Sequence, residues 1–238
     1  MNILKYYVRK ALGLPVHYYF KRATVPAASH LPVLLALGTI FPIRRILEFG
    51  TGHFSTLAFL NPVIFPHVER VLSFETDTVW KDRVAEQAND DKRLEIRLVD
   101  SEVHKTAATC DFSGFDLVFV DNGPTGDERV ATIREVANRC DESNLVVVHD
   151  FENLPYQQAA AGLPHSFCFD AHCPHTGVLW KGGRIDRAAR GKLKHMNKQI
   201  ALHAQRLEPN EIEAWKGIIE NAARGAKTRK SFGASRDN

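Results

Sequence analysis

Acidic residues close four successive apolar runs in this 238-residue chain. Glu75 ends one run, Asp100 with Ser101 the next, Asp121 a third, and Asp150, preceded by His149, a fourth. A fifth acid, Glu48, opens the stretch Glu48-Phe49-Gly50-Thr51-Gly52-His53-Phe54-Ser55-Thr56. Gly50 and Gly52 allow backbone to approach a ligand closely, with a helix N-terminus expected just beyond. Glu75 follows Gly52 by 23 residues, where a carboxylate can accept hydrogen bonds from both hydroxyls of a ribose. A dinucleotide fingerprint would want a third glycine at position 55, which is Ser. A carboxylate at position 48 also sits badly beside a pyrophosphate and well beside a cation. The pattern therefore asks for a ligand with a ribose and a positive centre and no phosphate.

Three of these residues could move a proton. His149 is the strongest general base on chemical grounds, because imidazole titrates near neutrality; the alternative is a histidine that caps its strand. Asp121 and Asp150 stand beside it and offer oxygen ligands to a magnesium ion, with Glu152 or Asn153 as further donors. Arg129 could meet an anionic acceptor, against the plainer reading of a surface arginine paired with Asp127 or Glu128. Cys168, His172, Cys173 and His175 invite a zinc reading. Their spacing matches no established zinc site, and strand alternation would send the two cysteines to opposite faces.

These side chains need a scaffold that brings strand ends together, and the punctuation of the chain supplies one. Short apolar runs are expected as strands at 44–50, 68–75, 94–101, 115–121 and 144–150. Helices are expected at 55–62, 78–89 and 126–140, the second with Val79, Val84 and Ala85 inward. The third has Val130, Ile133, Val136 and Ala137 on one face. Strand alternating with helix implies βαβ units and a parallel sheet, whose ligands bind at the carboxyl ends of the strands. A helix at 154–162 follows. Runs at 165–172 and 176–182 are too close for a crossover and must pair antiparallel. The run 31–43 reads as a mostly buried helix leading into the first strand, and 185–225 as helix with basic faces.

On these residues the chain resembles class I S-adenosylmethionine-dependent methyltransferases. ILEFGTGHFSTLAF is similar to their first motif, E-x-G-x-G with Ser-Thr opening the helix, and VLSFETDTVWKDRV to their second. FDLVFVDNGPTGDERVATI and VVVHDFEN resemble the fourth- and fifth-strand segments of the small-molecule and sugar O-methyltransferase branch. The resemblance covers about residues 30–182. It implies a Rossmann-like, doubly wound, mostly parallel seven-stranded α/β sheet with an antiparallel last strand. It also implies S-adenosylmethionine as cofactor. Glu48 and the turn Gly50, Thr51, Gly52, with Ser55, would face the methionine part; Glu75 would hold the ribose; Asp100 and Ser101 would flank the adenine. Asp121 would lie between the methionine end and the acceptor. Phe54 departs from the pattern, standing where many members have a third glycine. Catechol-type relatives have an Asp-Asn pair after the fifth strand, and Phe151 breaks it here. The Asp-Asn-Gly-Pro segment at 121–124 lacks the signature of enzymes that methylate nucleobase amines. The activity implied is methyl transfer to a hydroxyl of a small molecule or sugar, with general-base or magnesium assistance. RNA or protein methylation and a non-catalytic cofactor-binding scaffold stand as alternatives.

Composition sets the remaining bounds. With 44% hydrophobic and 25% charged residues the chain is an ordinary globular sequence. Three regions are expected: a helical extension at 1–30, the domain at 31–182, and a basic helical extension at 183–238 with a disordered end. Residues 1–180 carry a net charge of −5 and residues 181–238 one of +8. Such a tail is the electrostatic footprint a nucleic acid would use, though a solvated helical surface is the commoner meaning. The aromatic N-terminal segment is a candidate homodimer contact. Four cysteines in a long chain, no secretory signal and no transmembrane segment are expected to mean a cytoplasmic protein.

Overall fold

The computed structural model describes residues 26–123 and 126–204. Alternation along the strands sorts the side chains into two faces. In β1 (Arg45–Phe49), Ile46 packs to one side of the sheet, and Leu47 and Phe49 to the other. β2 (Arg70–Glu75), β3 (Leu94–Leu98), β4 (Leu117–Val120), β5 (Leu145–His149), β6 (His165–Phe169) and β7 (Thr176–Trp180) complete the sheet. The strand order is β3-β2-β1-β4-β5-β7-β6. The first five strands run parallel, and β7 lies antiparallel to both β5 and β6. This is the Rossmann-like doubly wound sheet with an antiparallel final strand. Its order reverses between β1 and β4, which opens a crevice at their carboxyl ends.

Helices cover both faces. α1 (Leu31–Ile40), α2 (Ser55–Leu60), α3 (Thr78–Ala88) and α7 (Arg187–Ala204) join Ile46, Val71, Phe119 and Val147 in one apolar layer. α4 (Val103–Thr109), α5 (Gly126–Arg139) and α6 (Leu154–Ala159) pack with Leu47, Phe49, Val118 and Val148 in the other. β4 and most of β5 are apolar throughout because helices bury both of their faces. α1 is buried from Leu31 to Gly38, as a nearly all-apolar helix must be.

Three expectations change. Residues 103–109 form a helix that the sequence pattern does not signal: a crossover on the α5 face demands one there. Val79 is 70% exposed, leaving Val84 as the buried anchor of α3. β3 ends at Leu98, so Asp100 and Ser101 lie past its end on the exposed sheet edge. The aromatic segment at 2–22 and the tail beyond residue 204 lie outside the described residues. Among those described, no helix is long and apolar enough to cross a membrane.

Candidate active site

Strand register decides which acids meet. Val120 pairs with Val148, so the next residues, Asp121 and His149, stand side by side on the face that carries α1. Asp150 falls on the opposite face, toward α5. Glu48 shares its face with Ile46, beneath the start of α2.

That position explains Glu48. It is fully buried and accepts hydrogen bonds from three hydroxyls: Ser55 Oγ on Oε1 (2.5 Å), and Thr56 Oγ1 and Ser73 Oγ on Oε2 (2.6 Å each). Ser73 is itself 2.7 Å from Thr51 Oγ1, and Thr56 Oγ1 accepts from the Gly52 N–H at 3.0 Å. Since Ser73 gives its proton to Glu48, Thr51 donates to Ser73. Glu48 is thus the anchor beneath the glycine turn and does not line the cavity above it. Burial pushes its carboxyl up to about 7, against the pull of the three hydroxyls. Gly50 turns the chain at φ +91°, and a Cβ there would lie 2.5 Å from the Asp121 carbonyl oxygen. Only glycine fits the junction of β1 and β4.

Above this turn lies a cavity of about 420 Å³. Of the residues expected to hold a cofactor, Gly50, Thr51, Gly52, Ser55, Glu75 and Asp121 line it. Asp100 lines a separate hollow with Leu98, Val99, Glu102, Lys105 and Thr106, and neither Asp100 nor Ser101 lines the cavity. Glu75 Oε1 accepts the backbone N–H groups of Thr76 (2.7 Å) and Asp77 (2.9 Å), which leaves Oε2 for a ligand. His30, Phe54 and Trp80 line it as well; Phe54 and Trp80 fall within the two quoted motifs, whereas no sequence motif marks His30. Trp80 Nε1 donates to the Thr51 carbonyl at 2.6 Å and ties α3 to the glycine turn.

The residues expected to move a proton gather around Arg129, with His149 buried and Asp121 and Asp150 half-buried. Arg129 is only 9% exposed, so it is no surface arginine. Its Nε donates to the Asn122 carbonyl (2.8 Å), Nη2 to Asp121 Oδ1 (3.0 Å) and Nη1 to Asp150 Oδ2 (2.5 Å). Asp150 holds a left-handed backbone at φ +59° to make that pair. A magnesium ion shared by Asp121 and Asp150 does not fit this arrangement, because the guanidinium already occupies the ground between the two carboxylates.

His149 Nδ1 lies 3.2 Å from Asp121 Oδ1, and Nε2 lies 2.8 Å from Ser29 Oγ. Ser29 spends its own proton on the Pro174 carbonyl (2.7 Å), so it accepts from His149. Both nitrogens of His149 thus face acceptors. Burial works against its charge, but the hydrogen bond and charge of Asp121, with Asp150, outweigh it and raise the pKa above the usual value. Burial likewise works to raise the Asp121 pKa; the His149 hydrogen bond and charge, then Arg129, leave it below the ordinary carboxylate value. His30 stands edge-on to His149 with ring centroids 4.9 Å apart. It is 1% exposed, and neither ring nitrogen has a hydrogen-bond partner among the described residues. Burial, then the charge of His149, pushes its pKa down to about 3, so it is neutral. Ser29 and His30 stand at the end of the expected N-terminal extension and belong to the site: His30 lines the cavity and Ser29 holds His149. The Cys168–His175 set is not gathered: Cys168 and Cys173 are exposed, and His175 N donates to Glu152.

The fold is that of the class I S-adenosylmethionine-dependent methyltransferases. Among solved structures, the chain is similar to the SAH-bound Podospora anserina methyltransferase PaMTH1, with a TM-score of 0.51 and 14% identity. That match covers 75% of this chain and 94% of the other. An O-methyltransferase family protein from Burkholderia thailandensis matches at TM-score 0.48 and 12% identity, over 67% of this chain. This chain spans 57% of that protein's length. The N-methyltransferase NodS from Bradyrhizobium japonicum, also SAH-bound, matches at TM-score 0.45 and 9% identity, over 69% and 96% of the two chains. No family model and no curated protein matches the sequence.

Proposed function

We propose that this protein is an S-adenosylmethionine-dependent methyltransferase that methylates a hydroxyl of a small molecule or sugar. The observation that carries the reading is the cavity itself. A positive-φ glycine turn, the free carboxylate oxygen of Glu75 and the Asp121 carboxylate converge on it at the strand-order switch, with no lysine or arginine for a phosphate among its described lining residues. Glu75 takes the ribose hydroxyls, and the turn from Gly50 to Gly52 takes the methionine end. Asp121 stands where the sulfonium and the acceptor meet. PaMTH1 and NodS, both crystallised with S-adenosylhomocysteine, support the cofactor assignment at the level of the fold.

Methyl transfer is an in-line displacement, so most of the work is alignment. His149, with both nitrogens donating, orients Asp121 and is not itself a free base. Asp150 is neutralised by Arg129. The groups left facing the acceptor are Asp121 and the neutral His30.

Calorimetric titration with S-adenosylmethionine and S-adenosylhomocysteine tests the cofactor. Removing the ribose acceptor with Glu75→Ala is expected to weaken binding at least about tenfold, the value of a charge-assisted hydrogen bond. Wild-type protein that binds neither ligand would overturn the assignment.

A further inference from the structure

His30, Asp121 and His149 carry a second consequence. Each offers one ligand atom, and these atoms all lie within 4.8 Å of one another. They form the only such histidine, cysteine and carboxylate group among the described residues. We propose that these three side chains bind one divalent transition-metal ion, of the zinc, iron(II) or cobalt(II) type, at the acceptor end of the cavity.

Four observations support the site. First, His30 has two buried ring nitrogens with no partner among the described residues, an arrangement that calls for a compensating ligand. Second, Ser29 relays His149 Nε2–H to the Pro174 carbonyl, which fixes one tautomer and aims Nδ1 at Asp121. Metal-bound histidines are commonly held in this way through their far nitrogen. Third, Nδ1 of His149 and Oδ1 of Asp121 are 3.2 Å apart, close to the separation of neighbouring ligands about a tetrahedral ion with bonds of about 2.0–2.2 Å. A ring nitrogen of His30 completes the set within 4.8 Å of both. Fourth, two imidazoles and one carboxylate suit a borderline metal, whereas magnesium wants a shell of oxygens. Arg129 has already withdrawn Asp150 from such a shell.

On binding, the Nδ1 proton of His149 leaves to solvent and three protein ligands hold the ion, with positions open toward the cavity. Metal binding stands on this geometry alone. Its use, to bind an acceptor hydroxyl and lower its pKa, rests on the methyltransferase reading.

The test uses the full chain, stripped with chelator and titrated with Zn²⁺ by calorimetry and with Co²⁺ by visible absorption. One equivalent is expected, with cobalt d–d bands of a nitrogen and oxygen shell and no competition from a large excess of Mg²⁺. His30→Ala and His149→Gln are each expected to weaken binding at least about tenfold, as loss of even an outer-shell partner can. Anomalous scattering from zinc-soaked wild-type crystals should place the ion between the three side chains, which keeps the proposal testable if a variant fails to fold. No binding by wild type, binding that both variants retain, or an ion located elsewhere would overturn it. S-adenosylmethionine is titrated into the metal-free protein in parallel. Cofactor binding without metal binding removes the metal site alone; metal binding without cofactor binding removes the methyltransferase reading and leaves the site standing.

Discussion

Replacing Glu48 by Gln should change how stability depends on pH, and the size of the change follows from the structure. The carboxyl is fully buried, and its pKa rises from the ordinary 4.5 to about 7. The folded protein therefore prefers the protonated acid. The stability this contributes is whole below about pH 4.5 and is lost as pH rises through about 7. A displacement of that size corresponds to about 3 kcal/mol. Glutamine keeps the shape but cannot ionise. It must also turn an amide NH₂ toward hydroxyls that now donate, a cost of about 1–3 kcal/mol that is the same at every pH. The stability of Glu48→Gln relative to wild type should thus start unfavourable at pH 4 and move in the variant's favour by about 3 kcal/mol by pH 8. Urea unfolding of both proteins across that range measures the difference and cancels most other titrating groups. A difference that stays flat, or that moves against the variant as pH rises, would refute the reasoning. It would mean that the three hydroxyls stabilise the carboxylate more than burial penalises it.

Two further substitutions probe the neighbouring contacts. Gly50→Ala forces a Cβ to within 2.5 Å of the Asp121 carbonyl oxygen at a φ of +91°, and should cost more than about 3 kcal/mol and abolish cofactor binding; thermal unfolding and calorimetry read both, and a stable, binding-competent variant would contradict the described turn. Arg129→Met removes the cation between Asp121 and Asp150; Asp121 keeps His149 while Asp150 loses its closest partner, a loss of about 1.5–3 kcal/mol at neutral pH. Arg129 helps hold Asp121 below the ordinary carboxylate value, so the loss should shrink as the medium turns acid, and a variant equally destabilised at pH 4 and pH 8 would argue against the bridge.

Much of this architecture is readable from residue order. The apolar runs of β4 and β5 and the glycine turn after β1 announce a parallel sheet with its site at the strand ends. Alternation then decides what such a listing of strand ends leaves open. It sends Glu48 under α2, where Ser55 and Thr56 wait, and it separates Asp150 from its neighbour His149. α4 is too short and too weakly patterned to show a helical period. His30 carries no motif; only the docking of α1 against β4, with His30 on Phe119, brings it to Asp121. Arg129 looks like a surface residue until α5 is seen to turn it inward.

Ser29 reaches His149 across 120 residues of chain and Pro174 across 145. One side of this contact is therefore synthesised long before the other. At about 5–20 residues per second a growing chain needs about 7–30 s to bridge that gap, long after α1 could meet β1. Closing such a loop costs entropy that no nearby contact returns early. The contact between Ser29 and His149 thus forms late, and the nascent chain can have its early strands paired while this wall of the cavity is still unmade.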